Sequence, residues 1–279
     1  MSKKSEILRN QRAWAKSVGL KSDEKGYLPT CEANLFQSMN PETKTSFDQG
    51  SGAELVDTAR YPAKMRALHS SSALAVNFFD WWVANSNGPL LEALGIQSPA
   101  GCRVRFEAQY PTGLPGNPPN LDVTLGLPDG EIIGIESKFT EWLTPKPKSK
   151  NQFKGKYFPE GPGVWSFVSL PKCQALAEQI RDGLITFRYL DVAQLLKHAL
   201  GLATGVGTHF RLFYIFFDAN CPEGEVHRRE IREFALAVGT ELKFQAISYQ
   251  SLLDQFEYSV SGSEAYRQYL KSRYFSGAA

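Results

Sequence analysis

The sequence predicts an α/β chain in which a mixed central sheet is flanked by helices. Three observations carry this reading: a pair of apolar strands joined by a tight turn over Leu121–Phe139, helix-period segments on either side of it, and a late apolar run at Arg211–Phe217. The 279 residues suit one such domain with an extension, or two small domains. Residues 1–70 read as an N-terminal extension of mixed helix and loop, and residues 71–279 as the core.

In the extension, Asn10–Val18 predicts a short helix, and Pro29, Pro41, Gly50, Gly52 and Pro62 divide the remainder into turns. Ser70–Ser72 offer N-caps for a helix through Ala73–Asn85 that ends near Asn87-Gly88-Pro89. Arg103–Tyr110 reads as a strand with Val104, Phe106, Ala108 and Tyr110 on one side and Arg103, Arg105, Glu107 and Gln109 on the other. Downstream, helices are expected at Gln174–Ile185, Asp191–Leu202 and Glu225–Val238, and strands at Arg211–Phe217 and Lys243–Ser248.

The stretch Leu121–Trp142 is the most informative. Leu121, Val123, Leu125 and Leu127 alternate on one face of a strand, leaving Asp122 and Thr124 on the other. In the next strand Ile133, Ile135, Ser137 and Phe139 share a face, leaving Gly134, Glu136 and Lys138 opposite. Pro128-Asp129-Gly130 is a hairpin signal, its Gly where positive φ is needed. With those three residues as the loop, Leu127 pairs with Glu131, and counting back sets Asp122 opposite Glu136. Opposed side chains lie roughly 4.5–5.5 Å apart at Cβ. Two carboxylates so close repel, and a divalent cation is the economical partner. Lys138 stands beside the pair. The alternative is a solvated, charged hairpin face. Ile132, Ile133, Ile135 and Phe139 argue for a central strand instead, where unpaired charge is costly.

The motif Asn120-Leu121-Asp122 … Glu136-Ser137-Lys138 resembles the PD-(D/E)xK nuclease superfamily, although Leu121 replaces the motif's proline. With the flanking runs MRALHSSSALAVNFFDWW, FEAQYPTGLPGNPPNLDVTLGL and QLLKHALGL, most of the chain is similar to one bacterial family described as candidate restriction endonucleases. The resemblance implies a restriction-endonuclease-like core and a catalytic set of Asp122, Glu136 and Lys138. Asp122, Glu136 and the Ser137 carbonyl would bind Mg²⁺, with Mn²⁺ as a substitute. Lys138 would position the attacking water or stabilise charge on the phosphate. Glu107, on the polar side of its strand, is a further candidate ligand, or else a surface partner of Arg103 or Arg105. An acidic residue of the first core helix often supports the metals in this superfamily; Glu54 is the first candidate and Asp80 the weaker. Gln194 resembles a glutamine that some relatives place near the metals, with Lys197 and His198 one turn on. Each of these could equally be an ordinary polar position.

A formal charge of +2 imposes no global field that demands nucleic acid. Lys146, Lys148, Lys150, Lys154 and Lys156 nevertheless cluster, with no acid between Glu141 and Glu160. They would track a DNA backbone or form a solvated loop. The 4 cysteines form no C-x-x-C, so neither a zinc site nor a disulfide framework is expected. No run suits a membrane span, and the N-terminal residues lack a signal peptide's apolar core, which predicts a cytoplasmic protein. The expected activity is Mg²⁺-dependent endonucleolytic cleavage of DNA, of restriction or defence type. The alternatives are a repair exonuclease, a junction resolvase or a non-catalytic nucleic-acid-binding module. A homodimer and a cognate methyltransferase are compatible partners.

Overall fold

The sheet grows from the hairpin outward. In the computed structural model, which describes residues 2–50, 54–98, 101–146, 153–259 and 263–275, five strands form one sheet in chain order. They are β1 (Arg103–Gln109), β2 (Asn120–Gly126), β3 (Ile132–Lys138), β4 (Phe210–Phe216) and β5 (Phe244–Ser248). β1–β2 and β2–β3 are antiparallel; β3–β4 and β4–β5 are parallel. The turn closes as its residues dictate: Leu127 N–H donates to Glu131 O at 2.9 Å, and Gly130 takes φ +89°. Val123 then faces Ile135 and Leu125 faces Ile133, and the same count sets Asp122 opposite Glu136.

Because β3 and β4 lie inside the sheet, both are apolar on two faces, and each face has its own core. On one side Val104, Val123, Ile135 and Phe213 pack with α3 (Ser71–Phe79), α4 (Trp81–Ala84) and α5 (Gly88–Ala93). The C-terminal helices α10 (Tyr249–Ser259) and α11 (Glu264–Leu270) complete that side through Leu252, Phe256 and Tyr266. On the other side Leu212, Tyr214 and Phe216 pack with α6 (Val164–Phe167), α7 (Pro171–Arg181), α8 (Val192–Val206) and α9 (Pro222–Val238).

Helix α8 seats closely on the sheet. A Cβ at Gly134 would fall 2.8 Å from Leu202 Cδ1, and one at Gly201 would fall 2.7 Å from the Tyr110 carbonyl oxygen. The two glycines thus set the depth at which α8 crosses β3. Asp191 caps the helix by accepting the Gln194 N–H at 3.1 Å.

The N-terminal residues are tied into the core. α1 (Lys3–Ser17) and α2 (Pro41–Gln49) bury Ile7 and Phe47 in the cluster shared with Val104 and Val123. The buried Arg273 guanidinium bonds the Asn34 carbonyl and stacks 4.5 Å from the Trp14 ring.

Several elements differ from the sequence expectation. α1 begins at Lys3 because Ser2 caps it. The helix expected through Asn85 breaks at Asp80, and Gly88-Pro89 opens a helix rather than ending one, since proline suits a first turn. Leu121 leaves the face of Val123 and joins the α8 side, near Leu202. α10 and α11 have no counterpart in the sequence expectation.

Candidate functional site

Strand β2 changes character at Asp122. From the Leu127–Glu131 pair, regular alternation makes Leu121–Ser137 the next pair to exchange hydrogen bonds after Val123–Ile135. Instead the Ser137 N–H donates to Asp122 Oδ2 at 2.7 Å. The carboxylate stands in for a backbone acceptor. On the other flank Glu107, opposite Asp122 by register, adopts φ +50° and drops out of the β1–β2 ladder. Positive φ is uncommon for a residue with a side chain and marks local strain. Both neighbours of Asp122 therefore depart from regular sheet at one level.

Glu136 is 1% exposed. Its Oε1 pairs with Lys138 Nζ, and its Oε2 lies 2.8 Å from Nε2 of the buried His198 on α8. Burial alone would push the Glu136 carboxyl up, but Lys138 and His198 outweigh it and hold the group ionised, below the usual range. Asp122 moves the opposite way. Desolvation and then the Glu136 charge push its carboxyl well above the usual range, against Lys138 and the Ser137 N–H. Lys138 is pushed down by burial but raised further by Glu136, Asp122 and Glu141, so it stays protonated.

Ser137 joins this site to the opposite face. Its carbonyl accepts the Ser71 hydroxyl at 3.1 Å, leaving a second lone pair, and its hydroxyl meets the buried Tyr249 hydroxyl at 2.6 Å. Glu107 accepts from Asn120 Nδ2 at 2.6 Å. Burial raises its carboxyl, which also feels the charges of Glu54 and Glu136. Arg103, one of the two surface partners considered for it, bonds Glu42. Glu54 bonds Lys64 and the Ser72 hydroxyl, both at 2.8 Å, and so sits beside the start of α3. Asp80 lies elsewhere: its carboxylate accepts the Asn40 N–H and the Thr43 hydroxyl, which fixes the start of α2.

Among the described residues, no three His, Cys, Asp or Glu side chains form a closed metal cage. Two carboxylates and a carbonyl are hard oxygen donors of the kind Mg²⁺ takes, with water and phosphate completing its shell. Glu136 Oε2, buried and without an aligned hydrogen-bond partner, is consistent with that donor set.

A family profile described as restriction endonuclease associating with ARP matches residues 5–275. The chain belongs to that family. No curated protein and no solved structure matches it significantly. The mixed sheet flanked by helices is the restriction-endonuclease-like fold expected from the sequence. Among the described residues, no helix of this restriction-endonuclease family member is long and apolar enough to cross a membrane.

Of the expected basic stretch, the described lysines Lys146, Lys154 and Lys156 lie near Lys197 on α8. Burial pushes the Lys197 ammonium down and, against the pull of Asp191, so do the charges of Lys154, Lys146 and Lys156. Lys197 lies 5.2 Å from the Phe153 ring centroid and 5.6 Å from that of Tyr157. Lys146 pairs with Asp191, and Lys156 bonds the Pro115 carbonyl. Lys148 and Lys150 lie outside the described residues.

Sequence reasoning named Gln194 on α8 first, with Lys197 and His198 one turn on; of the three, His198 lies against Glu136. The signal was present in outline. His198 falls among Leu195, Leu196, Ala199 and Leu202, a polar ring within an apolar stripe. Ser71 and Tyr249 were given no part in the site. As a capping residue and an isolated aromatic, they carried no sequence signal.

Proposed function

We propose that the protein is a Mg²⁺-dependent endonuclease that hydrolyses DNA phosphodiester bonds, of restriction or defence type. The observation that supports this most is that Asp122, bonded to the Ser137 N–H, lies near enough to Glu136 to feel its charge, with Lys138 paired to Glu136 at the edge of a buried site. Phosphodiester hydrolysis needs an activated water, neutralised phosphate oxygens and a stabilised leaving oxygen. A bound Mg²⁺ supplies Lewis acidity and a more acidic water. Asp122, Glu136 and the Ser137 carbonyl would hold it, with Glu107 near enough to Asp122 to add charge and Glu54 near Glu107 in turn.

The chain's own groups would do the rest. Lys138, kept cationic by three neighbouring carboxyl groups, would orient the attacking water or offset charge on the phosphate. The Ser137 N–H would fix the Asp122 carboxylate. Lys146, Lys154, Lys156 and Lys197 would meet the phosphate backbone, and they lie next to the helix that carries His198. Lys148 and Lys150 belong to the same proposal.

The test is incubation of the purified protein with methylated and unmethylated plasmid in Mg²⁺, Mn²⁺, Ca²⁺ or excess chelator, followed by end sequencing. Linear products in Mg²⁺ or Mn²⁺, with little turnover in Ca²⁺, are expected. Closed circles left intact while linear duplex is degraded would make the protein an exonuclease. Full activity in chelator would defeat the mechanism.

A further inference from the structure

Three buried polar atoms meet where α8 crosses β3. Glu136 Oε2 and both ring nitrogens of His198 have no aligned hydrogen-bond partner among the described residues, although Nε2 and Oε2 are only 2.8 Å apart. An unsatisfied buried donor or acceptor costs about 1–3 kcal/mol. The surrounding stripe of Leu195, Ala199 and Leu202 would accommodate an apolar side chain at position 198. An imidazole at this place in an apolar stripe calls for a polar reason, and among the described residues the carboxylate of the motif lies 2.8 Å from its Nε2.

Glu136 is drawn in two directions. Lys138, two residues along the same strand, holds Oε1. A carboxylate gripped at one oxygen remains free to follow that lysine and turn from Asp122. His198 approaches the other oxygen from a different element, at the spacing of a charge-assisted hydrogen bond but off its line. The helix that carries it is fixed at three points: the Asp191 cap, the bond from Trp165 Nε1 to the Leu196 carbonyl at 2.8 Å, and the close seat of Gly201 on Tyr110.

We propose that His198 is a positioning residue: it fixes Glu136 from the second oxygen, so that the carboxylate faces Asp122 and the cation rather than collapsing onto Lys138. This rests on the nuclease reading above. His198 acts through Glu136, as outer partners of metal ligands do, and loss of such a partner typically lowers metal affinity or activity by 10–100-fold.

The test compares native protein, His198→Leu and His198→Gln, each checked for native melting behaviour, by Mn²⁺ titration in calorimetry and by cleavage kinetics. Gln retains an N–H near the Nε2 position, and Leu matches the apolar stripe. His198→Leu should weaken Mn²⁺ binding about 10- to 100-fold and lower kcat in step with little change in KM for DNA. His198→Gln should restore both to within a few-fold of native. Native Mn²⁺ affinity in the Leu variant would overturn the proposal, as would a Gln variant no better than Leu or a native protein that binds no Mn²⁺. Should the Leu variant fail to fold, the Gln variant decides, because near-native affinity requires a retained N–H and a large loss contradicts it. The expected order of Mn²⁺ affinities without any DNA cleavage would leave the positioning role standing and defeat the nuclease reading alone.

Discussion

Asp122 Oδ2 accepts the backbone N–H of Ser137 at 2.7 Å, a donor that a regular ladder would have given to the Leu121 carbonyl. A side chain thereby completes the sheet at the point where β2 departs from it. The consequence is a carboxylate anchored by its neighbour's backbone and held beside Glu136 at an electrostatic cost.

That cost has a measurable sign. The Asp122 carboxyl is raised by desolvation and by Glu136, so its ionised form destabilises the metal-free fold as pH rises above the usual carboxylate range. Asp122→Asn keeps an oxygen for Ser137 and removes the charge. It should melt above native protein in metal-free buffer at pH 7 and should not cleave DNA. A lower melting temperature would contradict the strain argument.

Lys138 needs a different substitution. Lys138→Ala leaves the buried Glu136 without its cation, and breaking a buried pair costs about 3–5 kcal/mol. Lys138→Gln retains a donor for Oε1. Its cleavage rate should fall about 100-fold or more while the fold is kept. Native turnover would remove Lys138 from the catalytic set.

For the basic cluster, salt dependence is the readout. Changing Lys154, Lys156 and Lys197 together to Gln should weaken binding to all duplexes alike and flatten the slope of log K against log salt by up to about 0.9 per lost contact. Any sequence preference should survive. An unchanged slope would identify the cluster as solvated surface.

Gly201→Ala tests the seat of α8. The added Cβ would lie 2.7 Å from the Tyr110 carbonyl, which is backbone and cannot swing aside. A loss of about 1–3 kcal/mol in urea unfolding is expected. Gly205→Ala, whose Cβ would meet the Tyr110 ring at 3.0 Å, should cost less. Equal effects would mean that Tyr110 does not set the helix position.

His227 gives the fold an acid limit. It is fully buried, stacked on Trp142 at 4.2 Å between centroids, with Nε2 2.9 Å from the Tyr214 hydroxyl. Burial, aided by Arg228, pushes its pKa down to about 3. Between that value and the unfolded value near 6.5, the unfolded chain binds a proton that the native state refuses. The His227 contribution is therefore complete above about pH 6.5 and is lost as pH falls toward 3, by up to roughly 4 kcal/mol. Urea unfolding of His227→Gln should show a shallower decline between pH 6.5 and 4 than native protein; parallel declines would contradict the assignment.

The hairpin and its register were legible because period-two alternation and the Pro128-Asp129-Gly130 turn leave one pairing that buries the apolar faces. From that register alone Asp122 falls opposite Glu136, with Lys138 beside them. The parallel strands were legible as apolar runs, although their neighbours in the sheet were not.

Tertiary structure decided the rest, and the reason is one of distance along the chain. No local pattern predicts positive φ at Glu107, because the residue is strained there by what packs around it. Leu121 accordingly changes face against its own alternation. Gln194 and His198 lie on nearly the same side of α8, one turn of about 5.4 Å apart. Which of them reaches Glu136 depends on how far α8 slides along β3, and the contacts of Gly134 with Leu202 and of Gly201 with Tyr110 fix that position. The sequence by itself determined the fold class and the opposed carboxylates with their lysine. The packing of α8 selected the histidine that meets them, since a helix's register on a sheet is set by side-chain volume at a few contacts far apart in sequence.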